Sequence, residues 1–141
     1  MLFDDYELQR TERRRIAVRR GMQARASEGF LVGRPRLGYR AERTARGSRA
    51  RLVAEMTTAL RRAFEMVVEG CEVAEVAAWL NAQGVTVQRG APVSKCTVAR
   101  MLADPYYAGL TRNGDDEFIA GSHDPIVDAG TFFKVQEKLG R

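Results

Sequence analysis

The stretch GAPVSKCTVARMLADPYYAG, residues 90–109, decides the fold, because it sets one short helix between a turn and a proline stop. Ser94 is placed to cap that helix, since its hydroxyl can accept from a free first-turn amide, and Val93 before it can staple against Val98. Asp104-Pro105 ends it, because a residue preceding proline is pushed out of the helical region. The helix therefore runs from about Lys95 to Ala103. Wound at about 100° per residue, it gathers Val98, Met101 and Leu102 on one side and Cys96, Thr97 and Arg100 on the other. One side is built for a core and the other for display.

Working outward, VTVQRGAPV alternates apolar and polar residues around Arg89-Gly90, which predicts a short hairpin or wing ahead of the helix. Before that, Val73, Val76, Ala77 and Leu80 repeat at helical spacing up to a stop at Gly84, giving a helix over Val73–Ala82. An amphipathic helix from about Val53 to Glu69 precedes it, with Met56, Leu60, Ala63, Phe64, Val67 and Val68 on one face and Gly70 at its end. Downstream, YAGLTRNGDDEFIAG offers two short strands around Asn113-Gly114, a type I′ turn signal. Asp128 then caps a last helix through Phe132, Phe133, Val135, Gln136 and Leu139.

The N-terminal part differs in kind. From about Glu7 to Glu28 the residues are helix formers without proline, yet Leu8, Ile16 and Met22 are the only large apolar ones, so this helix has little core to join. Gly21 in its middle counts against continuity. GRPRLGYR then predicts an extended, turn-rich path carrying Arg34, Arg36 and Arg40, and RTARGSRAR reads as a mobile loop. The predicted class is mainly α with small β-hairpins (α+β), a helix-turn-helix-like helical domain preceded by a long basic connector helix.

With 141 residues, 45% hydrophobic and 29% charged, the chain has the make-up of one globular domain with a real core. Its net charge is +5, and residues 1–51 carry 14 Lys and Arg against six Asp and Glu, so the rest is net acidic. That bias points to an anionic partner at the N-terminal end, the plainer alternative being a solvated helix face and a flexible basic loop. Cys71, Cys96 and His123 cannot assemble a zinc set, so no metal and no cofactor are expected. No apolar run approaches a membrane span or a signal segment, which makes a cytoplasmic protein the default.

Nor does any catalytic constellation emerge. His123 lies in SHDPIV without an activated serine or cysteine context, and Asp115, Asp116 and Glu117 read as a hairpin turn rather than a metal site. Tyr106 and Tyr107 read as core anchors.

The 95–103 helix has a better use. Short side chains near its N-terminus and a long one a turn later fit a DNA major groove, where Thr can meet a thymine methyl and Arg a guanine edge. Ser94 and Lys95 stand beside free amides that can hold a phosphate. The Val73–Ala82 helix would pack across it, as in a helix-turn-helix whose turn has become a hairpin. An extended chain carrying arginines can enter a narrow minor groove, which is the use expected of GRPRLGYR. A surface helix with ordinary polar residues, and a surface turn with Tyr39 packed on the core, are the alternatives.

GRPRLGYR, AFEMVVEG, EVAAWLNAQGV, VSKCTVARMLADPYYAG and HDPIVDAGTFFKVQEKL resemble, in order and spacing, the recombinase domain of large serine recombinases, the phage integrases and transposon resolvases. The resemblance covers about residues 29–139. ERRRI (12–16) and GMQARASEG (21–29) resemble, more loosely, the family's helix leading out of its catalytic domain. The implied division is a connector helix over 1–28, following a catalytic domain absent here, and a DNA-binding domain over 29–141.

By this resemblance Ser94, Lys95, Thr97 and Arg100 belong to the segment that reads half of an attachment site, and Arg34 and Arg36 to the linker that follows the minor groove. Arg40 and Arg89 complete the candidate DNA contacts. Glu72 stands where the family has Ser or Thr, weakening that cap, and Val93 where it commonly has Trp. Neither the family's nucleophilic serine with its arginine cluster nor its cysteine-bearing zinc domain has a counterpart here. The chain is thus expected to bind double-stranded DNA without catalytic residues of its own, as a monomer, while the parent recombines DNA as a dimer or tetramer. A stand-alone regulator, or a module that binds an acidic protein partner, are the alternatives.

Overall fold

The computed structural model describes residues 2–27, 29–31, 34–112 and 117–140. Along the chain run α1 (Leu2–Ser27), the strands β1 (Tyr39–Arg43) and β2 (Ser48–Leu52), the helices α2 (Ala54–Val68), α3 (Val73–Ala82) and α4 (Lys95–Ala103), the strands β3 (Leu110–Arg112) and β4 (Phe118–Ala120), and α5 (Ala129–Lys138). The mainly α class with small hairpins is what forms.

The core is helical because each amphipathic helix turns its apolar side inward. Leu60, Ala63, Phe64 and Val67 of α2, Val76, Ala77 and Leu80 of α3, Val98, Met101 and Leu102 of α4, and Phe132 and Val135 of α5 are all buried. Helix α2 packs on α3 and α5, and α4 on those same two helices. Burying a side chain such as Leu60 is worth about 1.5–3 kcal/mol, so this shared apolar centre carries most of the stability. At Gly38, φ is +90°, and a Cβ there would run into Leu60 Cδ1 and come within 3.1 Å of Ile126 Cδ1, which requires glycine where the chain passes over the core.

Helix α1 is continuous through Gly21 and leaves Leu8, Ile16, Val18 and Met22 exposed, as its sparse apolar pattern predicts. Helix α3 starts at Glu72 without a side-chain cap bond. β3 pairs with β4 antiparallel in the register Arg112 to Phe118. The turn expected at Asn113-Gly114, with Asp115, Asp116, Gly33 and Glu28, lies outside the described residues.

One expectation is corrected. The segment read as a mobile loop, 43–51, forms most of the β1–β2 hairpin, in which Tyr39 faces Leu52 and Arg43 faces Ser48. Thr44 closes its turn by donating from N–H and Oγ1 to the Gly47 carbonyl at 2.7 and 2.6 Å, and Arg51 Nε donates to Glu42 Oε2 at 2.9 Å. The strands do alternate, with Tyr39 facing Leu52 and Ala41 facing Ala50, and Ala50 and Leu52 pack on the core, but two of these four residues are alanines set among arginines, which makes the apolar pattern faint in the sequence.

Candidate nucleic-acid interface

Helix α4 begins and ends where its sequence dictates. Ser94 Oγ accepts from the Thr97 amide at 3.1 Å and lies 3.0 Å from Thr97 Oγ1, so the cap also fixes the threonine rotamer. Val98, Met101 and Leu102 are at most 3% exposed, whereas Ser94, Lys95, Cys96 and Arg100 face solvent and Thr97 is half-buried. The displayed edge is polar and cationic, with the free amides and positive dipole end of the helix at one extremity.

Two amide side chains hold this helix at its ends. Asn81 of α3 donates from Nδ2 to the Val93 carbonyl at 2.9 Å and accepts on Oδ1 from the Val93 amide at 2.7 Å, pinning the residue ahead of the cap. Gln136 of α5 donates from Nε2 to the Leu102 carbonyl at 2.6 Å, satisfying an acceptor in the last turn. Neither residue stands out by its chemistry in the sequence, although Asn81 lies within the EVAAWLNAQGV stretch that carries the family resemblance.

Beyond the helix, residues 104–107 grip residues 36–39. Asp104 Oδ1 accepts from the Tyr106 amide at 3.1 Å, while Oδ2 accepts from Arg36 Nε at 2.5 Å. The Arg36 guanidinium lies 4.0 Å from the Tyr106 ring centroid, and Tyr107 Oη donates to the Leu37 carbonyl at 2.8 Å. Tyr39 sets its edge against Tyr106 with centroids 5.1 Å apart and donates from Oη to the Asp124 carbonyl at 2.6 Å. On the far face of the cluster His123 stacks on Tyr106 at 3.5 Å and donates from Nε2 to that residue's carbonyl at 2.6 Å. Burial holds the His123 imidazole below its ordinary pKa and raises the phenols of Tyr39, Tyr106 and Tyr107. The phenols are therefore held in their neutral form, with the charges of Arg36, Asp104 and Asp124 beside the rings.

The remaining candidates are dispersed. Arg34 is exposed ahead of this cluster, Arg40 is exposed on β1 opposite Arg51, and Arg89 sits in the turn between α3 and α4 with φ +62°, a left-handed conformation that side chains rarely adopt. That turn is the expected wing in reduced form, a single bridge from Thr86 to Pro92. Among the described residues no three His, Cys, Asp or Glu side chains gather as metal ligands, and no helix is long and apolar enough to cross a membrane.

A capped helix held at both ends, with its polar edge outward and the 104–107 motif behind it, coincides with a family pattern: the model described as Recombinase matches residues 55–141. The chain belongs to the recombinase family. Two solved structures share the recombinase fold seen here. One is a crystal structure of an LSR–DNA complex, with TM-score 0.67 and 20% identity over 89% of this chain and 38% of that one. The other comes from work on the Listeria innocua prophage attP site, with TM-score 0.66 and 20% identity over 85% of this chain and 49% of that one. The chain thus spans less than half the length of either. No curated protein sequence matches it.

Proposed function

We propose that this chain is the DNA-binding module of a serine site-specific recombinase, recognising half of an attachment site and positioning a catalytic domain on it. The observation that carries the reading is the presentation of α4, whose apolar side is buried while Ser94 and Lys95 at its start and Arg100 in its last turn stand outward. The fold it shares with an LSR–DNA complex supports the same use.

In this reading Ser94 and Lys95 meet a backbone phosphate, and Thr97 and Arg100 read base edges in the major groove. The segment around Arg34 and Arg36 follows the adjacent minor groove, with Arg40 and Arg89 adding backbone contacts. Residues 1–28 act as a connector helix and 29–141 as the binding domain, monomeric by itself and working on cytoplasmic DNA.

Titrating labelled duplex at several salt concentrations tests this. Affinity should fall linearly in log–log form by about 0.9 per phosphate contact, and Lys95→Ala should reduce that slope by about one contact. Retention of an acidic protein but of no duplex at low salt would contradict the reading.

A further inference from the structure

Arg36 was expected at the DNA, yet its guanidinium is engaged within the fold. Nε donates to Asp104 Oδ2, the guanidinium plane rests on Tyr106, and the neighbouring Leu37 carbonyl is held by Tyr107 Oη. Asp104 is also the residue that terminates α4, donating its amide to the Met101 carbonyl at 3.1 Å. The arginine linker is therefore fastened directly to the end of the displayed helix, across 68 residues of sequence.

The geometry points to a ruler. We infer that the Arg36–Asp104 pair is a positioning element that fixes the linker at a set distance from α4, so the domain recognises a major-groove motif and a minor-groove segment only at one spacing. This rests on the DNA-binding reading and deepens it. The nine residues of α4 span about 13.5 Å at 1.5 Å per residue, so the pin at Asp104 sits one helix length from the cap at Ser94 and sets where the linker leaves the displayed helix. Asp104 can do this because it is itself fixed, by the Tyr106 amide on its other oxygen and by proline immediately after it. Arg36 acts through Asp104 and Tyr106, leaving the groove contact to the rest of its segment.

The test uses Asp104→Asn, which retains an acceptor for the Tyr106 amide, Asn being as good a cap as Asp, but removes the carboxylate that holds Arg36. Arg36→Lys is the second variant, keeping charge while losing the Nε–H bond and the planar stack. Each protein is titrated with duplexes in which an A·T-rich segment is moved by one or two base pairs relative to the selected major-groove motif. For the native protein, one spacing should bind roughly tenfold better than its neighbours, the size of effect that one mismatched base pair produces. Both variants should bind all spacings within about threefold, at an unchanged thermal midpoint for Asp104→Asn, since an exposed ion pair adds little stability. A native spacing preference that survives in both variants overturns this inference alone. Tighter binding of Asp104→Asn to every duplex also overturns it, since Arg36 would then be a phosphate contact that Asp104 masks. If the native chain binds no duplex, the DNA-binding reading falls and takes this with it.

Discussion

Asn81 makes two hydrogen bonds to one residue, donating to the Val93 carbonyl and accepting from the Val93 amide, so a side chain of α3 completes the backbone just ahead of α4. Val93 is 2% exposed, and its amide and carbonyl lose these partners when the carboxamide is removed. Asn81→Ala should therefore destabilise the domain by about 1–3 kcal/mol, read as a lower urea midpoint at unchanged slope. Gln136→Met, which frees the Leu102 carbonyl at the opposite end of α4, should cost about 1 kcal/mol. Because the two sites lie at opposite ends of a nine-residue helix, the double variant should be additive within about 0.5 kcal/mol.

His123 makes stability depend on pH in a defined direction. Burial lowers its folded-state pKa below the ordinary 6.5, so between those two values the unfolded chain binds more protons than the folded one. Its contribution is intact above 6.5 and is lost as the pH falls from there through the folded-state value. Urea midpoints should drop between pH 7.5 and pH 5, and His123→Phe, which retains a ring against Tyr106, should drop less over the same interval. An equal drop in both proteins would assign the pH dependence to other groups.

Arg89 occupies a left-handed conformation that costs an ordinary residue about 1–2 kcal/mol and glycine nearly nothing. Arg89→Gly should leave the domain as stable or up to about 1 kcal/mol more stable by thermal melting, while weakening duplex binding if the exposed guanidinium meets the phosphate backbone. A stabilised variant with native affinity would remove Arg89 from the interface.

The local elements were legible because local chemistry sets them. Ser94, Asp104-Pro105 and the three-and-four spacing of Val98, Met101 and Leu102 define α4 within a few residues of sequence, and Asp128 does the same for α5, accepting from the Thr131 amide at 2.6 Å. What stayed hidden was long-range. Nothing in a helical or alternating pattern tells that Tyr107 will reach Leu37, or Arg36 reach Asp104, since those pairs are separated by 70 and 68 residues and depend on how the whole chain packs. The β1–β2 hairpin lay hidden for a related reason: its few apolar residues, Tyr39, Ala50 and Leu52, find their partners in the distant helical core, while a Thr44–Gly47 turn and an Arg51–Glu42 pair close it locally. For the candidate interface, the helix is legible from its caps and exposed edge, whereas the pairing of Arg36 with Asp104 emerges only from the tertiary structure.

Selection of random double-stranded DNA by this chain at moderate salt, followed by sequencing of the retained pool, tests the central claim most directly. The account predicts an enriched motif, and an Arg100→Ala pool in which preference relaxes at about one base position, with a loss of roughly 1–3 kcal/mol on the native motif. Equal loss on every sequence, or no retention of any duplex at low salt, would contradict the assignment of α4 as the element that reads DNA.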